Sequence, residues 1–98
     1  MIRIVGVSLL LMTSLAAHAD DHESEACRAA FGAYFRGDYV SAADQFKPLA
    51  DKGVACAEYY LGTLYKDGKG VPADSEKAAA LIKAAADQGY SQAIIQTQ

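Results

Sequence analysis

The stretch AEYYLGTLYKDGKGVPADSEKAAALIKAAADQGYSQA, residues 57–93, repeats part of the sequence that comes before it. Seven residues recur at a displacement of 36: Ala42, Ala43, Lys47, Ala50, Asp51, Gly53 and Ala57 return as Ala78, Ala79, Lys83, Ala86, Asp87, Gly89 and Ala93. A fixed period of this size is typical of stacked helix pairs, in which each pair buries its apolar face against the next.

The motif within one period is specific. It reads Ala57-x-x-x-Leu61-Gly62-x-x-Tyr65-x-x-Gly68-x-Gly70-Val71-x-x-Asp74-x-x-Lys77-Ala78, followed by Ala85-Ala86-x-x-Gly89. It resembles the Sel1-like repeat, a helical hairpin of the tetratricopeptide type. The earlier segment Gly37-x-Tyr39-x-x-Ala42-x-x-x-Phe46 is more similar to the tetratricopeptide consensus itself. The resemblance implies an all-α fold, a short right-handed α-solenoid of two antiparallel helix hairpins plus a C-terminal capping helix.

Helix signals agree with this division. Apolar periodicity and stop residues predict a first helix over 25–36 and a third over 55–67. The second helix carries the stripe of Ala42, Phe46 and Leu49 and is predicted to end at Lys52. Asp74 or Ser75 is expected to cap a fourth helix. Its buried seam is predicted to comprise small and aliphatic side chains, namely Ala78, Ala79, Leu81, Ile82, Ala85 and Ala86. Gly53 and Gly89 are expected to end helices in the left-handed conformation.

Residues 1–19 are interpreted as a secretory signal peptide. Arg3 precedes an apolar run that is short for a bilayer span, and Ala17-His18-Ala19 places small residues at the cleavage site. The alternative is an uncleaved amino-terminal anchor. Residues 20–98 are predicted to form the repeat domain, with the first hairpin at about 25–53, the second at 54–89 and the cap at 90–98. The localisation expected is the periplasm or the outside of the cell.

Charge excludes several partner classes. Cleavage after Ala19 leaves 79 of 98 residues and removes Arg3, so that 8 Lys and Arg face 12 Asp and Glu for a net charge of −4. Without a basic stripe, nucleic acid and anionic lipid are disfavoured as partners. We expect a monomer with no stable membrane insertion after cleavage.

The two cysteines, Cys27 and Cys56, are predicted to form a disulfide. A domain this small has a thin margin of stability, and export places an even cysteine count in an oxidising compartment. The match of Tyr65 with Tyr34 suggests that helix three corresponds to helix one at a displacement of 31 residues. At this displacement Cys27 aligns with Glu58, which is close to Cys56. A reactive thiol is the alternative.

No catalytic residues and no cofactor are predicted. The chain lacks Cys-x-x-Cys, His-Glu-x-x-His, Ser-x-x-Lys and a phosphate loop. Gly68-Lys69-Gly70 is read as the repeat loop, because it follows a helix rather than a strand. Some cysteine-rich Sel1-like proteins have been considered penicillin-interacting, so the resemblance leaves weak hydrolase activity as an alternative. This chain has one cysteine pair instead of one per repeat.

A protein or peptide partner is the function that the resemblance implies, since Sel1-like repeats are scaffolds for partner contacts. Helix three has a second stripe of side chains, which lies off the apolar face formed by Ala57, Leu61 and Leu64. This stripe comprises Tyr59, Thr63 and Lys66, at i, i+4 and i+7. The 31-residue displacement adds Arg28, Gly32 and Phe35. The predicted partner-binding residues are therefore Arg28, Phe35, Tyr59, Thr63 and Lys66. A solvated helix face and a remnant of a longer repeat array are the alternatives.

A metal site is the alternative function of a different class. Cleavage after Ala19 would expose Asp20-Asp21-His22, which resembles the amino-terminal copper and nickel motif. The amine, two backbone amides and the imidazole of His22 offer four nitrogens in a plane, which suits Cu(II) and Ni(II). A solvated acidic tail is the other interpretation of these residues.

Overall fold

The fold is all-α, as the sequence predicts. The computed structural model describes residues 25–97, and along them the helices are α1 (Arg28–Phe35), α2 (Tyr39–Asp51), α3 (Ala55–Asp67), α4 (Ser75–Asp87) and α5 (Ser91–Gln96). Each helix packs against the next one in the chain, and α3 and α4 share the largest contact. Because the connections are short, consecutive helices lie next to each other in space.

The 36-residue displacement seen in the sequence also relates the helix boundaries. Helices α2 and α4 each have 13 residues, and both their first and last residues lie 36 apart. Helices α3 and α5 also begin 36 apart, at Ala55 and Ser91. Helices α2 and α4 begin with the same capping signal, since Asp38 accepts a hydrogen bond from the Ser41 N–H (3.4 Å) and Asp74 one from the Lys77 N–H (3.0 Å). Of the two caps considered for the fourth helix, Asp74 is the one used.

Three helices end in the same way, with one residue between the helix and a left-handed glycine. Gly37, Gly53 and Gly89 follow α1, α2 and α4 with φ of +84°, +83° and +88°, which is the left-handed region. After α2, the Val54 N–H donates to the Leu49 carbonyl oxygen at 3.1 Å, and this six-to-one bond satisfies a carbonyl at the helix end. The predicted left-handed caps at Gly53 and Gly89 are confirmed.

Helix α3 lies in the middle of the domain and contributes to two clusters of buried side chains. The first is shared with α1 and α2 and contains Phe46 and Leu64 among its largest fully buried members. The second is shared with α4 and α5 and contains Tyr59 and Ile82. Because helices cover α3 on both sides, nearly all of its first ten residues are buried.

Close approach of α3 to α4 depends on Gly62. A Cβ at this position would lie 2.8 Å from Ile82 Cγ1 and 3.2 Å from the Ala78 carbonyl oxygen, both closer than normal contact. The absent side chain therefore lets the two helices pack with their backbones near each other.

The Cys27–Cys56 disulfide is confirmed. It joins the residue that precedes α1 to the first turn of α3, with a Cα separation of 6.5 Å. Both cysteines are buried within the first cluster. The bond therefore fixes the first helix to the central one.

Two details of the predicted helices are corrected. The helix expected from Glu25 is interrupted, because Glu25 and Ala26 are helical, Cys27 forms a turn and α1 begins at Arg28. In the fourth helix, Ala78, Ile82 and Ala85 are buried, but Ala79 is exposed. Its counterpart in α2, Ala43, is buried.

Candidate binding grooves

The predicted partner-binding face is not a single exposed surface. Arg28, Phe35 and Lys66 are exposed, with Phe35 at 71%. Tyr59 and Thr63 are each only 9% exposed, so the prediction that they face a partner is wrong. The error has a physical origin, since the pattern assumed one buried face for α3 and helices pack against it from both sides.

Tyr59 connects α3 to α5. Its hydroxyl accepts a hydrogen bond from Gln96 Nε2 at 2.8 Å, and its ring lies 5.5 Å from that of Tyr90. Burial raises the pKa of Tyr59 above its usual 10.0, the neighbouring Tyr60 adds to the rise, and the Gln96 hydrogen bond opposes it. These contacts make Tyr59 a packing residue.

Two other polar residues of α3 also have internal partners. Thr63 Oγ1 donates to the Tyr60 carbonyl oxygen at 2.7 Å. Glu58 Oε1 accepts from Gln88 Nε2 at 2.7 Å, and the same amide nitrogen donates to the Gly53 carbonyl oxygen at 2.8 Å. A buried polar group is tolerated when it is hydrogen-bonded in this way. The Gln88 side chain therefore links the end of α4 to Glu58 of α3 and to the loop before α3, whereas the Thr63 bond lies within α3.

The first open site is a groove of about 440 Å³ that crosses α3 between α2 and α4. We call it the lysine groove. Its walls and floor include Lys47 and Asp51 of α2, Leu61 and Tyr65 of α3, and Lys77 and Leu81 of α4. Apolar side chains between charged ones suit a ligand that is itself part apolar and part charged.

The two lysines stand on opposite walls of the lysine groove. The Lys77 ammonium lies 5.1 Å from the centre of the Tyr65 ring, a cation–π contact that positions it. Among residues 25–97, Lys47 takes part in no ion pair. At the equivalent position on α4, Lys83 pairs with Asp87 at 3.0 Å. Lys47 therefore keeps its charge available to a ligand, and the groove carries one more positive than negative charge.

The second open site has about 550 Å³ and lies on another face of α4, which Lys66 of α3 and the end of α5 flank. We call it the alanine groove. Ala78, Ala79 and Ile82 of α4 form its apolar part, and Lys66, Gln96 and Thr97 are at its edge. The small side chains leave the α4 backbone accessible to close approach by another element.

Sequence reasoning missed both grooves, although it named several of their residues. Lys47 is one of the seven repeated residues, and Lys77 belongs to the motif Asp74-x-x-Lys77-Ala78. These sequence patterns indicate only where Lys47 and Lys77 lie along their helices. Their meeting above Leu61 and Tyr65 depends on how α2 and α4 pack on α3.

The predicted copper and nickel ligands Asp20, Asp21 and His22 lie outside the described residues. Within residues 25–97, no three His, Cys, Asp or Glu side chains are grouped so as to hold a metal ion. The same part of the chain contains no helix long and apolar enough to cross a membrane. Both cysteines are in the disulfide, which leaves neither as a free thiol.

Comparison with known proteins gives no family for this chain. A scan against protein-family models, a search of curated proteins and a search of solved structures each returned no match. The similarity to the Sel1-like repeat therefore remains a prediction from the motif residues.

Proposed function

We propose that the protein is an exported helical binding module that holds a peptide segment of a partner protein in the lysine groove. The segment has apolar side chains that meet Leu61 and Leu81, and acidic side chains that pair with Lys47 and Lys77. The observation that carries this proposal is the apolar floor with an ammonium group on each wall. Apolar contact supplies affinity in such a site, and the charges fix orientation.

The repeat arrangement supports a binding role in this groove. Two 13-residue helices placed 36 residues apart lie on either side of α3 and form the walls. We infer that they are the equivalent helices of successive Sel1-like hairpins, stacked as the start of a solenoid. Such stacks form extended concave surfaces that bind other chains.

Export is supported by two independent features. The amino-terminal residues 1–19 have the composition of a signal peptide. The Cys27–Cys56 disulfide suits an oxidising compartment such as the periplasm or the extracellular space.

Selection of peptides against the folded, oxidised chain tests the proposal. A displayed library of random peptides is expected to yield binders in which Asp or Glu stands beside Leu, Ile or Phe. Fluorescence anisotropy then compares their affinity for the native chain and for the Lys47→Gln, Lys77→Gln variant. Loss of two exposed ion pairs is expected to weaken binding roughly 2- to 30-fold. The loss should shrink in high salt, which screens these charges.

Lys83→Gln is the matched control, because Lys83 is the residue 36 positions after Lys47 and lies outside the lysine groove. It should leave peptide affinity unchanged. The proposal is abandoned if selected peptides show no acidic preference, or if Lys83→Gln weakens them as much as the double substitution does.

A further inference from the structure

Helices α2 and α4 carry the same pair of charged residues, and only one of the two pairs is joined. On α4, Lys83 and Asp87 form an ion pair at 3.0 Å. Lys47 and Asp51 stand 36 residues earlier on α2, at the same spacing along the helix. All four side chains are exposed, yet within residues 25–97 neither Lys47 nor Asp51 takes part in an ion pair. The pair on α2 is therefore open, although its spacing permits an ion pair.

The open pair borders the lysine groove. Lys47, Ala50 and Asp51 form the α2 wall of that groove, whereas Asp87 lines neither of the two grooves. Leaving an exposed ion pair open costs the fold little, because such pairs contribute little to stability. The lysine groove thus offers a carboxylate to a ligand in addition to its two ammonium groups.

The place of Asp51 in its helix strengthens the attraction for a cation. Asp51 is the last residue of α2. The C-terminal end of a helix carries a partial negative charge, which adds to the charge of a carboxylate located there. Lys52 follows Asp51 but does not line the groove. A positively charged group that enters the lysine groove is therefore attracted to its Asp51 end.

We infer that Asp51 is a specificity-determining residue, which selects peptides in which a basic side chain accompanies the acidic ones. This inference rests on the proposed function and deepens it, because it names the second kind of charge on the bound segment. The acidic side chain pairs with Lys47 and the basic side chain with Asp51. Lys77 on the opposite wall remains for a further carboxylate of the segment.

The spacing of the two charges on α2 sets their spacing in the peptide. Lys47 and Asp51 are separated by one turn of helix, which is about 6 Å along the axis. In an extended peptide, side chains on one face recur at every second residue, about 7 Å apart. An acidic residue at i and a basic residue at i+2 therefore match Lys47 and Asp51. Apolar residues at i−2 and i+4 share the same face and meet the apolar floor of the groove.

Two peptides of equal composition test this register. Both are about ten residues long, acetylated and amidated, and carry Leu at i−2, Asp at i and Leu at i+4, with Ser and Gln elsewhere. Arg stands at i+2 in the first peptide and at i+1 in the second, where it points away from Asp51. By fluorescence anisotropy, the first peptide is expected to bind the folded, oxidised chain about 2- to 5-fold more tightly. This preference should shrink in high salt.

Substitutions of Asp51 test its role directly. Asp51→Asn keeps the size of the side chain and should remove the preference for the first peptide. Asp87→Asn is the matched control, because Asp87 is the residue 36 positions later and lies outside the lysine groove, so the preference should persist. Asp51→Lys should reverse the selection and favour a third peptide that has Glu instead of Arg at i+2. Asp51 is exposed, so these variants should keep the native fold, which circular dichroism checks.

The outcomes separate this inference from the proposed function. If both register peptides bind equally well and Lys47→Gln, Lys77→Gln weakens both, the peptide groove stands and the role of Asp51 is overturned. A preference for the first peptide that survives in Asp51→Asn also overturns that role. If neither peptide binds, or if the lysine substitutions leave binding unchanged, the proposed function fails and the inference fails with it.

Discussion

Reduction of the Cys27–Cys56 disulfide should lower the free energy of unfolding by about 3.6 kcal/mol. This value follows from the chain-entropy model for a crosslink with a sequence separation of 29. The crosslink acts on the unfolded chain, because it removes conformations in which α1 and α3 are far apart. Stability of a domain this small is on the order of 5 kcal/mol, so the loss is a large part of the total. The melting temperature should fall by roughly 15 to 25 °C.

Urea unfolding followed by circular dichroism, with and without reductant, measures this change. The control is the Cys27→Ala, Cys56→Ala variant, which should be as unstable as the reduced native chain or less stable, because both cysteines are buried and the substitution leaves space in the first cluster. Reductant should have no effect on this variant. A loss below about 1 kcal/mol in the native chain would refute the reasoning, because the unfolded chain would then have to be as compact without the crosslink as with it.

Gly70→Ala is expected to destabilise more than Gly37→Ala in urea unfolding. Both glycines have positive φ, which costs an alanine about 1 to 2 kcal/mol, but only at Gly70 does the added Cβ also overlap a backbone atom, the Tyr39 carbonyl oxygen. Equal losses would show that the loop moves away without cost. Tyr59→Phe should reduce the loss of stability that the native chain shows as pH rises from 10 upward. The folded-state pKa of Tyr59 is raised above 10.0, so the folded chain keeps a proton that the unfolded chain releases, and stability falls with pH in that range. An identical pH dependence of unfolding free energy in the native chain and Tyr59→Phe would contradict this.

Local signals in the sequence account for the helices and their ends. Asp74 and Gly89 mark the two ends of α4 through hydrogen bonds and dihedral angles that involve only nearby residues. The period of 36 residues predicted equivalent helices, and the observed boundaries of α2 and α4 agree with it. The disulfide was also predictable, because two cysteines allow one intramolecular pairing and the export predicted from residues 1–19 favours it.

The sequence by itself thus determined the all-α class, most helix limits and the crosslink, whereas exposure was decided only by the tertiary structure. Tyr59 lies off the apolar stripe of α3 and is nevertheless buried, because α4 and α5 cover the second side of that helix. Ala43 and Ala79 are the same residue at equivalent positions, yet one is buried and the other exposed. Hydrogen-bonded caps depend on a few consecutive residues, but burial depends on which distant segments reach a surface, so the two grooves exist only once the helices are packed.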